Sequence, residues 1–252
     1  MKGRADGADC PMSTIDRIAP TKRPQARLAG YQRWRDLLFL HWRVPADVVR
    51  HLVPQPLALD LWEDQAYVGV VPFRMEGVRP HWWPSFLAFN FLETNLRTYV
   101  HYEGRPGVYF FSLDANARLP VYAARLTWGL PYHFARMRMT LDGDIVSYDT
   151  RRAGFSSASH RVRYRIGAPL PPSIPGSIEF FLLERYLLFV ERKGRIYVGQ
   201  VHHAPYPAQA ATVLEVEDNL MAAAGLPRVA EPPVCAHYAA GVDVEVFGLR
   251  QV

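Results

Sequence analysis

The sequence predicts an α+β fold that is rich in antiparallel β-strands and has only a few short helices. Its 252 residues include 21 prolines, which interrupt long helices. Short apolar segments, enriched in β-branched and aromatic residues, recur between turn formers such as Asp142-Gly143. Few regular helices separate these segments, which favours antiparallel pairing over alternating strand-helix units.

Ten segments have the composition of strands, with apolar residues in alternation or in short continuous runs. In chain order they are residues 36–42, 57–62, 66–75, 86–102, 108–113, 136–141, 161–166, 195–202, 212–216 and 242–249. Residues 45–52 are predicted to be a helix because Pro45 suits its first position and Val48, Val49 and Leu52 fall on one side. The other predicted helices are residues 116–126, 177–188 and 217–224.

The domain organisation is predicted to be simple. Residues 1–30 are rich in Ala, Gly, Pro, Arg and Asp without periodicity, so we expect a flexible N-terminal leader, within which Met12 is an alternative start to Met1. Residues 31–252 contain no internal repeat or low-complexity block and are predicted to be a single domain.

The charge pattern argues against a nucleic-acid partner. The net charge is +5, but six basic and three acidic residues lie in the first 30 positions, and signs are interspersed elsewhere. Two cysteines suit a reducing compartment, and no apolar run approaches the roughly 18 residues of a membrane span. We therefore expect a soluble cytoplasmic protein without a membrane partner, and leave open whether it forms a homo-oligomer.

Only three lysines are present, at Lys2, Lys22 and Lys193. None lies in an apolar segment that would lower its pKa, which argues against Schiff-base chemistry and pyridoxal phosphate. The sequence lacks G-x-G, G-x-S-x-G, C-x-x-C and H-E-x-x-H motifs. The adjacent His202 and His203 would point to opposite faces of a strand. No cofactor and no metal are therefore predicted.

The segment 92–102 carries the most informative polar pattern. As a strand it would place Glu93, Asn95, Arg97, Tyr99 and His101 on one face. One interpretation is an ordinary half-exposed strand. The other is the lining of a cavity, with Arg97 placed for a carboxylate and Glu93 for proton transfer. These two residues would lie about 13 Å apart along the strand, so they would bracket a ligand rather than pair.

The segment Gly129-Leu130-Pro131 redirects the chain and presents Tyr132 and His133 to different sides. A tyrosine can donate to an oxygen and a histidine titrates near neutral pH, but both also suit ordinary core or rim positions. The sequence leaves these readings open.

Several motifs extend along residues 31–252. They are Leu38-Phe39-Leu40-His41-Trp42-Arg43-Val44-Pro45, Leu52-Val53-Pro54, Val70-Val71-Pro72-Phe73-Arg74-Met75, Asn95-Leu96-Arg97-Thr98-Tyr99-Val100, Phe110-Phe111-Ser112-Leu113-Asp114-Ala115, Gly129-Leu130-Pro131-Tyr132, His202-His203-Ala204-Pro205-Tyr206-Pro207 and His237-Tyr238. Together they resemble the YqjF-like family of uncharacterised bacterial proteins.

A more distant resemblance concerns acetoacetate decarboxylase. The matching segments are Arg35-Asp36, Pro54-Gln55-Pro56-Leu57, Phe91-Leu92-Glu93, and Arg125 followed by Pro131-Tyr132-His133. This resemblance implies a cone-like antiparallel β-barrel around a buried cavity, with Arg35 and Glu93 as counterparts of active-site residues. Tyr132 and His133 stand where the decarboxylase has paired lysines, and a second glutamate of that family is lost near Gly69. The decarboxylation mechanism is therefore not carried over.

These observations lead to three hypotheses. The first is a lyase-, hydratase- or tautomerase-type enzyme that acts on a small oxo or carboxylic acid without a cofactor or Schiff base. Its predicted catalytic residues are Glu93, Tyr132 and His133. Its predicted ligand-binding residues are Arg35, Arg97 and Arg125.

The second hypothesis is a non-catalytic ligand-binding barrel, a sensor or carrier that uses the same cavity. The third is an interaction protein. In that case the run His81-Trp82-Trp83-Pro84 would be exposed as a partner surface rather than buried as core.

Overall fold

The computed structural model of the chain describes residues 15–154, 158–228 and 231–252. Within these ranges, twelve strands form one mixed sheet. They are β1 (Leu28–Val44), β2 (Ala58–Leu59), β3 (Ala66–Pro80), β4 (Phe89–Tyr102), β5 (Arg105–Ala115), β6 (Tyr132–Asp142), β7 (Ile145–Arg152), β8 (Ser159–Pro169), β9 (Leu187–Arg192), β10 (Arg195–His202), β11 (Ala208–Asp218) and β12 (Cys235–Gln251).

The helices are few and short, as predicted. They are α1 (Ala46–Leu52), α2 (Arg118–Trp128), α3 (Ile178–Leu183) and α4 (Leu220–Ala223), with 3₁₀ turns at Ala19–Thr21 and Ser85–Leu87. The long helix predicted over residues 177–188 was wrong in its second half, because the chain there enters β9. Strand β7 was not predicted, although Val146, Tyr148 and Thr150 are buried in the alternation that is typical of a strand.

The strand order is β10-β9-β5-β6-β7-β8-β11-β12-β1-β3-β4-β2. Two further pairings, β10 with β12 and β5 with β4, link distant parts of this order into closed circuits of paired strands. Most neighbours are antiparallel, but β5 runs parallel to both β6 and β9. The prediction of a purely antiparallel sheet is corrected at these two pairings. The parallel β5–β6 pair arises because α2 supplies the crossover between the two strands.

Strands β1, β3 and β4 are buried on both faces. On one face, Leu37 and Phe39 pack with Val71 and Phe73 in one apolar cluster. On the other face, alternate residues of the same strands pack against side chains of β7 and β8. Tyr148 of β7 fixes this second contact, since its hydroxyl donates to the carbonyl oxygens of Phe73 and Glu93 at 3.0 and 2.9 Å. Because both faces of β4 are packed, β4 is a rigid support for the side chains on the face that it shares with Phe39 and Phe73.

The predicted leader boundary at residue 30 falls inside β1, which begins at Leu28. The described part of the leader also contacts the domain. Arg17 pairs with the buried Asp60, and Arg23 pairs with Glu245 at 2.5 Å. Gln200 donates to the carbonyl oxygens of Pro20 and Lys22. Residues 1–14, including Met1 and Met12, lie outside the described residues.

No helix in the described ranges combines the length and the apolar character required to cross a bilayer.

Candidate functional site

A cavity of about 580 Å³ lies against the face of β1, β3 and β4 that carries Phe39, Val71 and Phe73. Strand β5, helix α2 and the segment after α3 complete its wall. Most of its lining side chains are apolar or aromatic. The buried polar exceptions are Glu93, Asn95, Arg97, Tyr132, Arg185, Tyr186 and Tyr206, and the less buried Tyr31, Gln32, Arg79 and Thr127 also line the cavity. A mostly apolar cavity with a few convergent polar groups is the usual form of a small-molecule site.

Strand β4 supplies three of these polar groups. Glu93, Asn95 and Arg97 are alternate residues, and all three face the cavity and are buried. These three positions of the strand therefore lie in the lining of the cavity. Tyr99 continues the same face but lies beyond the lining, where its hydroxyl contacts His41 Nε2 at 2.7 Å and donates to the Leu182 carbonyl oxygen at 2.8 Å.

Glu93 and Tyr132 form a buried pair. The Tyr132 hydroxyl donates to Glu93 Oε2 at 2.8 Å. Burial raises the pKa of Glu93 to about 8; the Tyr132 hydrogen bond opposes this rise and nearby Asp114 adds to it. Burial also raises the pKa of Tyr132, with a further contribution from Glu93. Both groups are therefore protonated at neutral pH, and the glutamic acid keeps a proton to donate into the cavity.

The turn before β6 positions Tyr132. Gly129 ends α2 with a positive φ of 67°, a conformation that glycine adopts without strain. The Leu113 amide then donates to the Pro131 carbonyl oxygen at 3.0 Å, which ties the turn to β5. Tyr132 consequently begins β6 opposite Leu113 and faces the cavity, as its packing beside Glu93 requires.

Two guanidinium groups, from Arg97 and Arg185, face the same part of the cavity. Arg97 Nη2 donates to the Leu182 carbonyl oxygen at 3.2 Å, whereas Arg97 Nε has no partner among the described residues. Arg185 Nε donates to the Phe181 carbonyl oxygen at 2.6 Å, whereas Arg185 Nη2 is likewise without a partner in the described ranges. Unused donors on buried cations are costly unless a ligand completes them.

Both of these cations contact the ring of Tyr99. The guanidinium carbons of Arg97 and Arg185 lie 5.8 and 5.0 Å from its centroid. Such contacts with the face of an aromatic ring attract a cation without neutralising its charge.

Asp60 provides the only carboxylate that pairs with either arginine among the described residues. Its Oδ2 accepts from Arg185 Nη1 at 2.6 Å, and its Oδ1 accepts from Arg17. Arg97 forms no ion pair within the described ranges. Arg185 and Arg17 therefore share one carboxylate while Arg97 has none, and the excess positive charge suits an anionic group.

Arg35 does not contribute to the cavity, contrary to the prediction. Its Nη1 donates to the carbonyl oxygens of Trp34 and Val242, and its Nη2 pairs with Asp243 at 2.5 Å. The reason is local: Asp36 has a positive φ of 51°, which interrupts the alternation of β1. Trp34 and Leu37 both line the cavity as a result, and Arg35 faces away.

His133 and Arg125 also lie outside the cavity lining. His133 follows Tyr132 on a strand and faces the opposite side, where burial and the nearby Arg152 lower its pKa. Arg125 is exposed on α2, because the helix directs Ala124 and Trp128 to the cavity and Arg125 away from it. Of the six predicted site residues, the structure brings together Glu93, Arg97 and Tyr132.

Arg185 and Asp60 were not predicted as site residues. The signal for Arg185 was present, since Glu184-Arg185 interrupts an otherwise apolar segment, and charged residues there must find buried partners. Asp60 gave no comparable signal, because its partners Arg17 and Arg185 are remote in sequence.

The described residues contain no cluster of three or more His, Cys, Asp or Glu side chains arranged to hold a metal. No lysine belongs to the described lining of the cavity. His203 is buried and stacks on Tyr186 with 4.5 Å between ring centroids, and burial lowers its pKa to about 4. His202 is only half-buried, so the two adjacent histidines do face different environments.

Comparison with protein families gives a match over most of the chain. The model of the DUF2071 family, described as an uncharacterized conserved protein, matches residues 31–243. The uncharacterized protein YqjF of Bacillus subtilis strain 168 is 38% identical over 222 residues, which cover 87% of this chain and 91% of that protein. The resemblance predicted from the motifs is confirmed.

Three solved structures share the fold. Acetoacetate decarboxylase from Legionella pneumophila has a TM-score of 0.61 at 14% identity, covering 93% of this chain and 92% of its own. The enduracididine biosynthesis enzyme MppR, complexed with pyruvate, has a TM-score of 0.60 at 14% sequence identity, and the match covers 90% of this chain and 91% of that chain. An acetoacetate decarboxylase-like enzyme from Sphingomonas wittichii RW1 has a TM-score of 0.61 at 11% sequence identity, and the match covers 90% of this chain and 94% of that chain. At these identities the likeness concerns the fold alone.

The raised pKa of Glu93 predicts a specific dependence of stability on pH. Since this pKa rises from 4.5 to about 8 on folding, the folded state binds the extra proton between these values. The free energy of unfolding should therefore decrease as pH rises from about 4.5 to 8, by an amount on the order of a few kcal/mol. Glu93→Gln, which still accepts from Tyr132, should remove this decrease.

Urea denaturation at several pH values between 5 and 8 measures the effect. Glu63→Gln, at an exposed turn position, is the matched control and should retain the wild-type slope. Parallel pH profiles for the wild type and Glu93→Gln would contradict the assignment.

Proposed function

Because the chain belongs to the DUF2071 family and has the fold of acetoacetate decarboxylase, we propose that it is an enzyme of oxo or carboxylic acids whose active site is the cavity. One observation carries this proposal. Arg97 is buried, faces the cavity and has no ion-pair partner among the described residues. An acid that binds there supplies the missing negative charge.

The overall shape in this proposal is a cone-like barrel. Its support is the closed circuits of paired strands, in which β10 joins β12 and β5 joins β4. The cavity then occupies the interior, and the strands that line it remain rigid because their outer faces are also packed.

Arg97 and Arg185 bind the carboxylate in this proposal. Arg97 Nε and Arg185 Nη2 are the donors left without partners in the described ranges, and both side chains line the cavity. Asn95 Oδ1, an acceptor in the same situation, can receive a hydroxyl of the ligand. Asp60 and the carbonyl oxygens of Phe181 and Leu182 hold the two guanidinium groups in place.

Glu93 performs the proton transfer. In its protonated form it gives its proton to a carbonyl oxygen of the ligand, and the Tyr132 hydroxyl stabilises the carboxylate that remains. That carboxylate then takes the proton of the carbon next to the carbonyl, so that the C–H bond breaks as the enol forms and Glu93 is protonated again. This chemistry fits tautomerisation, hydration, dehydration or a related lyase step. Because no lysine lies in the described lining, the proposal contains no imine. The pyruvate bound to MppR makes oxo acids the first compounds to test.

A ligand-binding protein without catalysis is the second candidate. The observation in its favour is the largely apolar lining, together with the satisfied hydrogen bond between Tyr132 and Glu93. Here the same residues recognise the acid, but no bond of the ligand changes.

Replacing Arg97 tests acid recognition. Arg97→Met should weaken carboxylate binding about tenfold or more, because it removes charged hydrogen bonds. It should not destabilise the ligand-free protein, because it also removes an unpaired buried charge. Isothermal titration with a panel of 2-, 3- and 4-oxo acids, together with thermal unfolding, measures both quantities.

Arg125→Met is the matched control, since Arg125 is exposed and outside the cavity lining. It should bind the panel like the wild type. Equal affinity of Arg97→Met and the wild type for every bound acid would contradict the proposed site.

Replacing Glu93 separates the enzyme from the binding protein. Hydrogen-deuterium exchange at the carbon next to the oxo group, followed by NMR in D₂O, reports enolisation of the same acids. Glu93→Gln should lower the exchange rate by about 10²–10⁴ while leaving affinity nearly unchanged. The wild-type rate should be sustained below pH 8 and fall as Glu93 loses its proton near pH 8.

If the acids bind tightly but exchange at the uncatalysed rate, the enzyme proposal is rejected and the non-catalytic ligand-binding protein is retained. A rate that rises through pH 8 would contradict the donor role of Glu93.

A further inference from the structure

The buried polar groups of the cavity lie toward one end of its length. The pairing of β3 with β4 sets Gly69 opposite Arg97, Phe73 opposite Glu93 and Val78 opposite Phe89. Arg97 thus marks the buried charged end and Phe89 the other end, where Gln32 and Arg79 also line the cavity, with Glu93 halfway between. Eight residues separate the two ends on β4, which corresponds to about 26 Å of strand.

The apolar half is too large for a small acid. The whole cavity has a volume of about 580 Å³, which is in the range of sites for drug-sized ligands. Beyond Glu93 its wall includes Trp34, Met75, Phe91 and Phe89. A three-carbon acid held by Arg97 would leave this wall without packing partners, whereas an apolar tail would cover it.

The mouth of the cavity is also lined by apolar residues. Trp83 and Leu119 line it, and next to them Trp82, Phe86 and Leu126 are 70%, 83% and 77% exposed. Neither adjoining segment, residues 77–92 nor residues 117–131, contains an acidic residue. Both contain arginines. An apolar, basic entrance favours an apolar molecule that carries negative charge.

We propose that the occupant is a monocarboxylic acid with an apolar tail of medium length, which deepens the proposed function and rests on it. The carboxylate binds at Arg97 and Arg185, and the tail extends past Glu93 and Phe91 toward the α2 side of the mouth. The oxygen that receives the proton of Glu93 lies between these two parts. This replaces the small acid predicted from the sequence with a longer, amphipathic one.

A chain-length series tests the tail. Isothermal titration of the wild-type protein with butyrate, hexanoate and octanoate should show affinity increasing about tenfold or more for each added pair of methylenes. Ala124→Phe, which adds a ring to the cavity side of α2, should abolish the gain from hexanoate to octanoate and leave butyrate binding unchanged. Leu141→Phe, at an exposed position of β6 outside the cavity lining, is the control and should retain the gain.

The head group is tested separately with 1-octanol and with Arg97→Met. The wild type should prefer octanoate to octanol by about tenfold or more, and Arg97→Met should lose this preference while keeping the dependence on chain length. If butyrate binds as tightly as octanoate, the inference of an apolar tail on the ligand is wrong, and the proposed function is unaffected. Octanol binding as tightly as octanoate to the wild type would overturn the acid site, and with it this inference. Absence of binding throughout would overturn both.

Discussion

Desolvation of charge inside an apolar cavity is the constraint on which the rest of this structure depends. The surroundings that bury Glu93 raise its pKa to about 8 and so keep it protonated. They also make the buried charge of Arg97 costly in the absence of an anion. In the proposed function, Glu93 and Arg97, which lie four residues apart on the same face of β4, take different roles from one environment: a proton donor and an anion receptor.

The fold holds these groups through contacts that lie behind the cavity wall. Tyr148 and Thr150 of β7 bind the back of β4, with a 2.7 Å contact between the hydroxyls of Thr94 and Thr150. The end of α3 offers the carbonyl oxygens of Phe181 and Leu182 to Arg185 and Arg97. Asp60 compensates part of the positive charge, and does so jointly with Arg17 from the N-terminal segment. Because each support comes from a different part of the chain, the site exists only in the closed arrangement of the sheet.

Sequence patterns predicted the parts of this account that depend on local periodicity. The alternation along β4 identified Glu93 and Arg97, and the Gly-Leu-Pro turn separated Tyr132 from His133. Periodicity failed where one residue changes it: the left-handed Asp36 reverses the facing of Arg35. It also could not find Asp60, since an ion pair between segments more than a hundred residues apart leaves no local pattern. The parallel pairings of β5 with β6 and β9 were missed for the same reason, as they follow from the path of the chain between the strands and not from the composition of the strands.

The central claim is that Glu93 is a protonated donor beside an anion receptor at neutral pH. Infrared difference spectroscopy between the wild type and Glu93→Gln, recorded as a function of pH, follows the carbonyl stretch of this one carboxylic acid. A Glu93 that is protonated at neutral pH should give a protonated carboxyl band at pH 7 that disappears with a midpoint near pH 8. A band already absent at pH 6, with a midpoint near the ordinary value of about 4.3 for glutamate, would contradict it.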